Sequence, residues 1–121
     1  MSRYSKHIKP FVDTELLQAA KLDNQPQLAF ACLERAHVLG QASTHEHVRV
    51  HWHMFQWAIR QGNVKEQVGQ LMRIIGAVTK TVFGLVPEGN TGGSNVSPFR
   101  RMPISSELRQ KISLAKQASQ K

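Results

Sequence analysis

A chain of 121 residues is long enough for one compact core and too short for two independent ones, so a single domain is expected. Its 40% hydrophobic and 20% charged residues exclude a disordered or coiled-coil class by composition. The net charge of +8 is confined to the ends: Arg3, Lys6 and Lys9 lead the chain, six bases face Glu107 alone in residues 100–121, and residues 10–99 balance, which excludes the middle as an attractor for polyanions.

The first helix is expected from Asp13 as N-cap, with Glu15 in its first turn and Leu16, Leu17 and Ala20 on one side. It should fade near Asp23-Asn24. Pro26 suits a first helical position, and Gln27 to Leu39 reads as a second helix that Gly40 closes as a left-handed cap. Ser43 and Glu46 form a capping box for a third helix that runs to Gly62, with an apolar stripe of Val48, Trp52, Phe55 and Ile59. A fourth starts near Asn63 and carries Val64, Val68, Leu71, Ile75, Val78 and Val82 at alternating spacings of four and three, the pattern of a core face.

Residues 87–104 are irregular in composition and should wrap over the surface, and Ser105 or Ser106 then caps a short basic helix over 105–119 with Leu108, Ile112 and Leu114 or Ala115 on its apolar side. No segment alternates with period two. The expectation is an all-α domain with its core over 11–86. Short turns make consecutive helices antiparallel, as a four-helix bundle or as paired helical hairpins of tetratricopeptide-like build, with a Gly-rich C-terminal loop and a short terminal helix. The basic ends read as exposed arms that aid solubility and leave nucleic acid or another polyanion as a candidate partner.

No apolar run approaches the roughly 20 residues that span a bilayer, and the start lacks the apolar stretch of a secretory signal, so no membrane and a cytoplasmic location are expected. Cys32, the single cysteine, has Ala29, Leu33 and Ala36 as neighbours and reads as a buried structural thiol in a reducing compartment.

Six histidines occur, and His45, His47, His51 and His53 crowd one helix. At about 100° per residue, His47 and His51 stack on one face contiguous with the core, His53 projects to the Arg49, Gln56 and Arg60 side, and His45 lies in the first turn. On the second helix Glu34 and His37 share a stripe with Phe30 and Gln41 at the margin of the apolar face. The short connection puts His37 level with His47, and Glu34 level with His51, so four side chains form a quadrilateral across the hairpin.

Helix axes about 8–10 Å apart leave room for imidazoles from both rods to meet one ion with bonds near 2 Å. Three His and one Glu suit zinc, iron, nickel or copper(II), and Gln41 and Gln70 could orient the ring nitrogens turned away from the ion. The same residues also fit a helix interface in which a Glu–His hydrogen bond, carbonyls and water satisfy the histidines without metal. A weaker candidate is an anion nest of backbone N–H groups at Gly89, Asn90, Thr91, Gly92 and Gly93 with Arg100 and Arg101, against the reading of a tight surface turn.

Read in order, Glu34-Arg-Ala-His-Val-Leu-Gly-Gln41, His47-Val-Arg-Val-His51 with Met54, Gly69-Gln-Leu-Met-Arg73, Pro87-Glu-Gly-Asn-Thr-Gly-Gly93 and Met102-Pro-Ile104 resemble a family of short bacterial proteins known as domain of unknown function 3703. The resemblance spans about residues 11–108. It implies a bacterial origin and a lineage, and supplies no activity; the family's pattern includes the positions of His37, His47 and His51 and omits those of His45 and His53. The reading that follows is a cytoplasmic bacterial protein that binds a transition metal through Glu34, His37, His47 and His51. The alternative is a helical interaction module whose histidines are structural and whose basic arms or Gly-rich loop meet a partner.

Overall fold

In a computed structural model of the protein, the helices described are α1 (Arg3–Lys21), α2 (Pro26–Gly40), α3 (Thr44–Gln61), α4 (Val64–Val82) and α5 (Ser106–Ser119). The structure describes residues 2–82, 90–93 and 101–121, and within them the side chains of all but 77–82. Helices α1, α2 and α3 pack against one another, α5 lies on α1 and α2, and α4 packs on α3 alone among the described helices.

Helix α1 begins at Ser2, whose hydroxyl accepts from the Ser5 N–H, well before the expected cap at Asp13. The reason is a longer apolar stripe: Ile8 and Val12 are fully buried in line with Leu16 and Ala19. Burial along those extra turns offsets the intrahelical hydrogen bond that Pro10 removes. Asp13 lies mid-helix instead, accepting from Lys9 at 2.9 Å and from Arg49 of α3. The N-terminal basic segment is thus a docked helix and not an arm. The C-terminal one is docked as well: Ser105 caps α5, Leu108 and Ala115 are buried, and the Arg3 guanidinium donates to the Lys121 carbonyl at 2.6 Å.

Pro26 opens α2 as expected, but Gly40 lies inside the helix and its cap is right-handed Gln41. What requires glycine there is a close approach, since a Cβ at Gly40 would stand 3.0 Å from the Glu46 Cβ on the first turn of α3. Ser43 caps α3 by accepting from the Glu46 N–H at 3.2 Å, and Gly62 ends it with φ +66°. The Glu46 carboxylate does not reach back to close a box. It is fully buried and accepts from Arg49 at 2.6 Å, next to His45 at 2.8 Å, and Arg49 carries the link on to Asp13 of α1.

Two expected stripes face elsewhere. In α3 the buried side is Glu46, His47, Val50, His51, Met54, Trp57 and Ala58, whereas Trp52 and Ile59 are more than half exposed. In α4 the side turned inward carries Glu66 and Gln70, and Val64, Val68, Leu71 and Ile75 are exposed. Val78 and Val82 of that stripe lie among the side chains outside the described ones. A polar contact accompanies the rotation of both helices: His51 of α3 and Gln70 of α4 meet in the interior.

Tyr4, the only tyrosine, packs against the core with its hydroxyl lacking a hydrogen-bond partner among the described residues, and burial pushes its pKa up to about 12. The neutral phenol is favoured in the folded state. Stability should therefore hold up to about pH 10 and fall as the unfolded chain ionises above it. Absorbance at the phenolate band, followed with helical circular dichroism, should show ionisation only together with unfolding or near pH 12. Titration at an ordinary tyrosine pKa in the folded protein contradicts this.

Candidate metal centre

Three buried histidines converge where α2 meets α3. His47 and His51 come from successive turns of α3, and His37 from the last turns of α2. The Nε2 atom of His37 lies 3.0 Å from that of His47 and 3.1 Å from that of His51. The ring centroids are 4.8, 4.7 and 4.9 Å apart, a near-equilateral triangle. A tetrahedral ion with nitrogen bonds of about 2.0 Å would place its ligand atoms about 3.3 Å from one another; the two separations from His37 need only a small increase to reach that value, and the three ligand atoms lie within 4.8 Å of one another.

The far side of two rings is anchored by groups that choose the tautomer. Nδ1 of His37 lies 2.5 Å from the Asn90 carbonyl oxygen, which can only accept, so that nitrogen carries the proton. Nδ1 of His51 lies 2.5 Å from Oε1 of Gln70. The Gln70 amide is oriented by its own donors, which reach the Glu66 carboxylate at 2.8 Å and the Gly92 carbonyl at 2.9 Å. Its oxygen must therefore face His51 and accept from Nδ1–H. In both rings the proton is on Nδ1 and the lone pair of Nε2 points at the centre of the triangle.

Residues 90–93 form the cover. Asn90, Gly92 and Gly93 are buried, and the Asn90 side chain accepts from the Gly92 N–H at 2.9 Å. Gly92 has φ +86°, and a Cβ there would lie 2.5 Å from Cδ2 and 2.8 Å from Nε2 of His37. Only glycine lets the backbone lie this close to the ring. This part of the loop is therefore interior, where a surface course was expected. The groups it turns inward at Asn90 and Gly92 are carbonyl oxygens, the opposite of what an anion nest presents. Of the other nest candidates, Thr91 is partly buried, Arg101 is exposed, and Gly89 and Arg100 lie outside the described residues.

Glu34 is not part of the histidine group. It is half-buried and hydrogen-bonded to Thr91, and its carboxylate is not among the ligand atoms grouped within 4.8 Å of one another, which come from His37, His47 and His51. Burial, with the nearby charge of Glu66, raises its pKa, while the Thr91 hydrogen bond works the other way. Gln41 is buried, and its Oε1 has no hydrogen-bond partner among the described residues. Gln70 alone of the two expected glutamines bonds a ring of the triangle among the described contacts. His45 is exposed beside Glu46, and His53 is half-buried on the α1 side, its pKa lowered by burial and by Arg49 and Arg60.

Burial, followed by the charges that His51 and His47 could carry, holds His37 well below the ordinary histidine pKa. Its Nε2 is therefore unprotonated at neutral pH. The backbone contribution of Asn90 and Gly92 has no side-chain signature; the signal available in sequence was the Gly-Asn-Thr-Gly-Gly run itself, which marks a close backbone approach without saying to what.

An all-helical domain with three buried imidazoles that could hold one metal ion is the class that this geometry defines. The chain belongs to the family described as Protein of unknown function (DUF3703), whose model matches residues 6–112. No curated protein and no solved structure matches it. Among the described residues, no helix is long and apolar enough to cross a membrane.

Proposed function

We propose that the protein binds one transition-metal ion through Nε2 of His37, His47 and His51. The observation that carries this reading is the pair of lone pairs of His37 and His51, 3.1 Å apart and both deprived of a proton by their Nδ1 partners. Two acceptors that close in a buried site repel unless a cation or a shared proton lies between them, and burial opposes protonation of His37. Imidazole donors in this number suit zinc, iron, nickel or copper(II) and suit calcium poorly. An ion held by three imidazoles keeps a further coordination position for water or a small ligand and supplies Lewis acidity there.

Gln70 and the Asn90 carbonyl act as orienting groups, and Glu66 behind Gln70, with Glu34 at the margin, supplies negative charge beside a cationic site. Glu34 can also serve as a fourth donor after a change of side-chain conformation. A bacterial, cytoplasmic setting agrees with the family resemblance and with Cys32 as a buried free thiol.

Elemental analysis of protein purified without a histidine tag, from cells supplied with zinc, iron, nickel and copper, is the test. About one ion per chain is expected, falling to background in His47→Ala. Protein that carries no ion after such growth, with His47→Ala unchanged in stability, favours the interaction module with structural histidines.

A further inference from the structure

The outer face of the α3–α4 hairpin is apolar and uncovered among the described residues. On α4, Val64, Val68, Leu71, Met72 and Ile75 are each more than half exposed. On the adjoining helix Trp52 and Ile59 are exposed to the same degree, and Trp52 stacks on Phe55 with ring centroids 5.7 Å apart. From Gln70, which faces the imidazoles, the α4 stripe is displaced by about 100–200° around the helix at 100° per residue, so it turns away from the site.

The spacing states what would cover it. Val64, Val68, Leu71 and Ile75 follow at intervals of four, three and four, and the sequence continues the rhythm at Val78 and Val82. Among the described side chains this is a heptad seam with β-branched Val68 and Ile75 at one core position and Val64 and Leu71 at the other. A strict 3.5-residue repeat fits another helix carrying the same repeat, and β-branched residues at a with Leu at d favour a pair of strands. Within the chain α4 touches α3 alone among the described helices, and it does so through another face. A second copy brings an identical seam, and a two-fold axis lets both be satisfied at once.

The area agrees. The five α4 side chains at these exposures present on the order of 550 Å², so two copies would bury about 1,100 Å² in total, above the about 1,000 Å² that a specific interface should clear. No acidic or basic residue falls at the stripe positions 64, 68, 71, 75, 78 and 82. We infer that the protein is a homodimer joined through the outer face of α3 and α4, with the α4 seams of the two copies packed on each other. The inference does not depend on the metal reading.

Sedimentation equilibrium on the full chain tests it, with and without chelator. The expected mass is twice 13.6 kDa in both conditions. Leu71→Lys should give a monomer that keeps its helical circular dichroism, because the position is exposed in the single chain. If that variant unfolds, the milder Val68→Ser must weaken dimerisation at least about tenfold. Wild-type protein that stays monomeric at about 100 μM overturns the proposal, the stripe then being covered by another part of the chain or by a different protein. A dimer that survives Leu71→Lys, or a dissociation constant unmoved by Val68→Ser, overturns it too.

Discussion

Metal-free protein supplied with its cognate ion should unfold at a markedly higher temperature, and His37→Ala should not respond. Binding to the folded state alone adds RT ln(1 + [L]/Kd), about 2.7 kcal/mol at a hundredfold excess over Kd. In a domain of this size that corresponds to a shift of the midpoint of roughly 10 °C. The quantity to compare is the increment on adding metal, because deletion of a buried imidazole lowers the starting stability of the variant whatever its ligand role. His37 is the informative residue, since its Nε2 lies within 3.1 Å of both other rings.

The response should also depend on pH in a defined direction. The His37 pKa is depressed by burial first and by its two histidine neighbours next, so protons compete with the ion at this nitrogen only well below pH 6.5. The increment should hold through neutral pH and decline under acid. Scanning calorimetry with zinc, iron(II), nickel and copper(II), each against the variant, checks both statements. An equal increment in wild type and His37→Ala would mean that the ion binds elsewhere, and no increment with any of the four ions would remove the metal reading.

Of Gly40, Gly62 and Gly92, the last should be the most damaged by a change to alanine. At φ +86° a non-glycine residue is strained by about 1–2 kcal/mol, and the new Cβ would meet the His37 ring at 2.5 Å, a contact that forces either the loop or the imidazole to move. Overpacking of this kind costs about 1–3 kcal/mol, so a total on the order of 3 kcal/mol is expected in chemical denaturation. If the ring yields, its Nε2 leaves the triangle and metal affinity should fall by about 10–100-fold.

Gly62→Ala is the control. Gly62 has a similar φ of +66° but nothing within 4 Å of its added Cβ, so only the backbone strain should appear, about 1 kcal/mol, with metal affinity unchanged. Equal losses at the two glycines would show that the contact of Gly92 with His37 has no energetic consequence, and the cover formed by 90–93 would lose its role in the site.

His47 and His51 were legible as a pair because a spacing of four on one helix puts them on one face whatever surrounds it. His37 could be set level with them because the α2–α3 connection is short. Glu34 was placed by the same reasoning and is not part of the histidine group but bonded to Thr91, because the loop at 90–93 enters beside it and supplies a competing partner. The α3 stripe Val48, Trp52, Phe55 and Ile59 misled for a related reason. Two apolar faces exist on that helix, and hydropathy favours the one with more aromatic carbon, whereas burial went to the face that carries the histidines with Val50, Met54 and Ala58.

By itself the sequence determined the local facts: the helical runs from Pro26 to Val82, the cap at Ser43, the stop at Gly62, and the shared faces of His47 with His51 and of Val64 with Val68, Leu71 and Ile75. Those depend on residues a turn apart, and helical geometry fixes them before any packing occurs. Tertiary structure alone decided which of two apolar faces α3 buries, that the α4 stripe points outward, that the basic ends are docked helices, and that two backbone carbonyls from 90–93 hold His37 and Gln70. Periodicity tells which side chains travel together and not what they meet, and a carbonyl oxygen is the same on every residue, so no sequence pattern announces it.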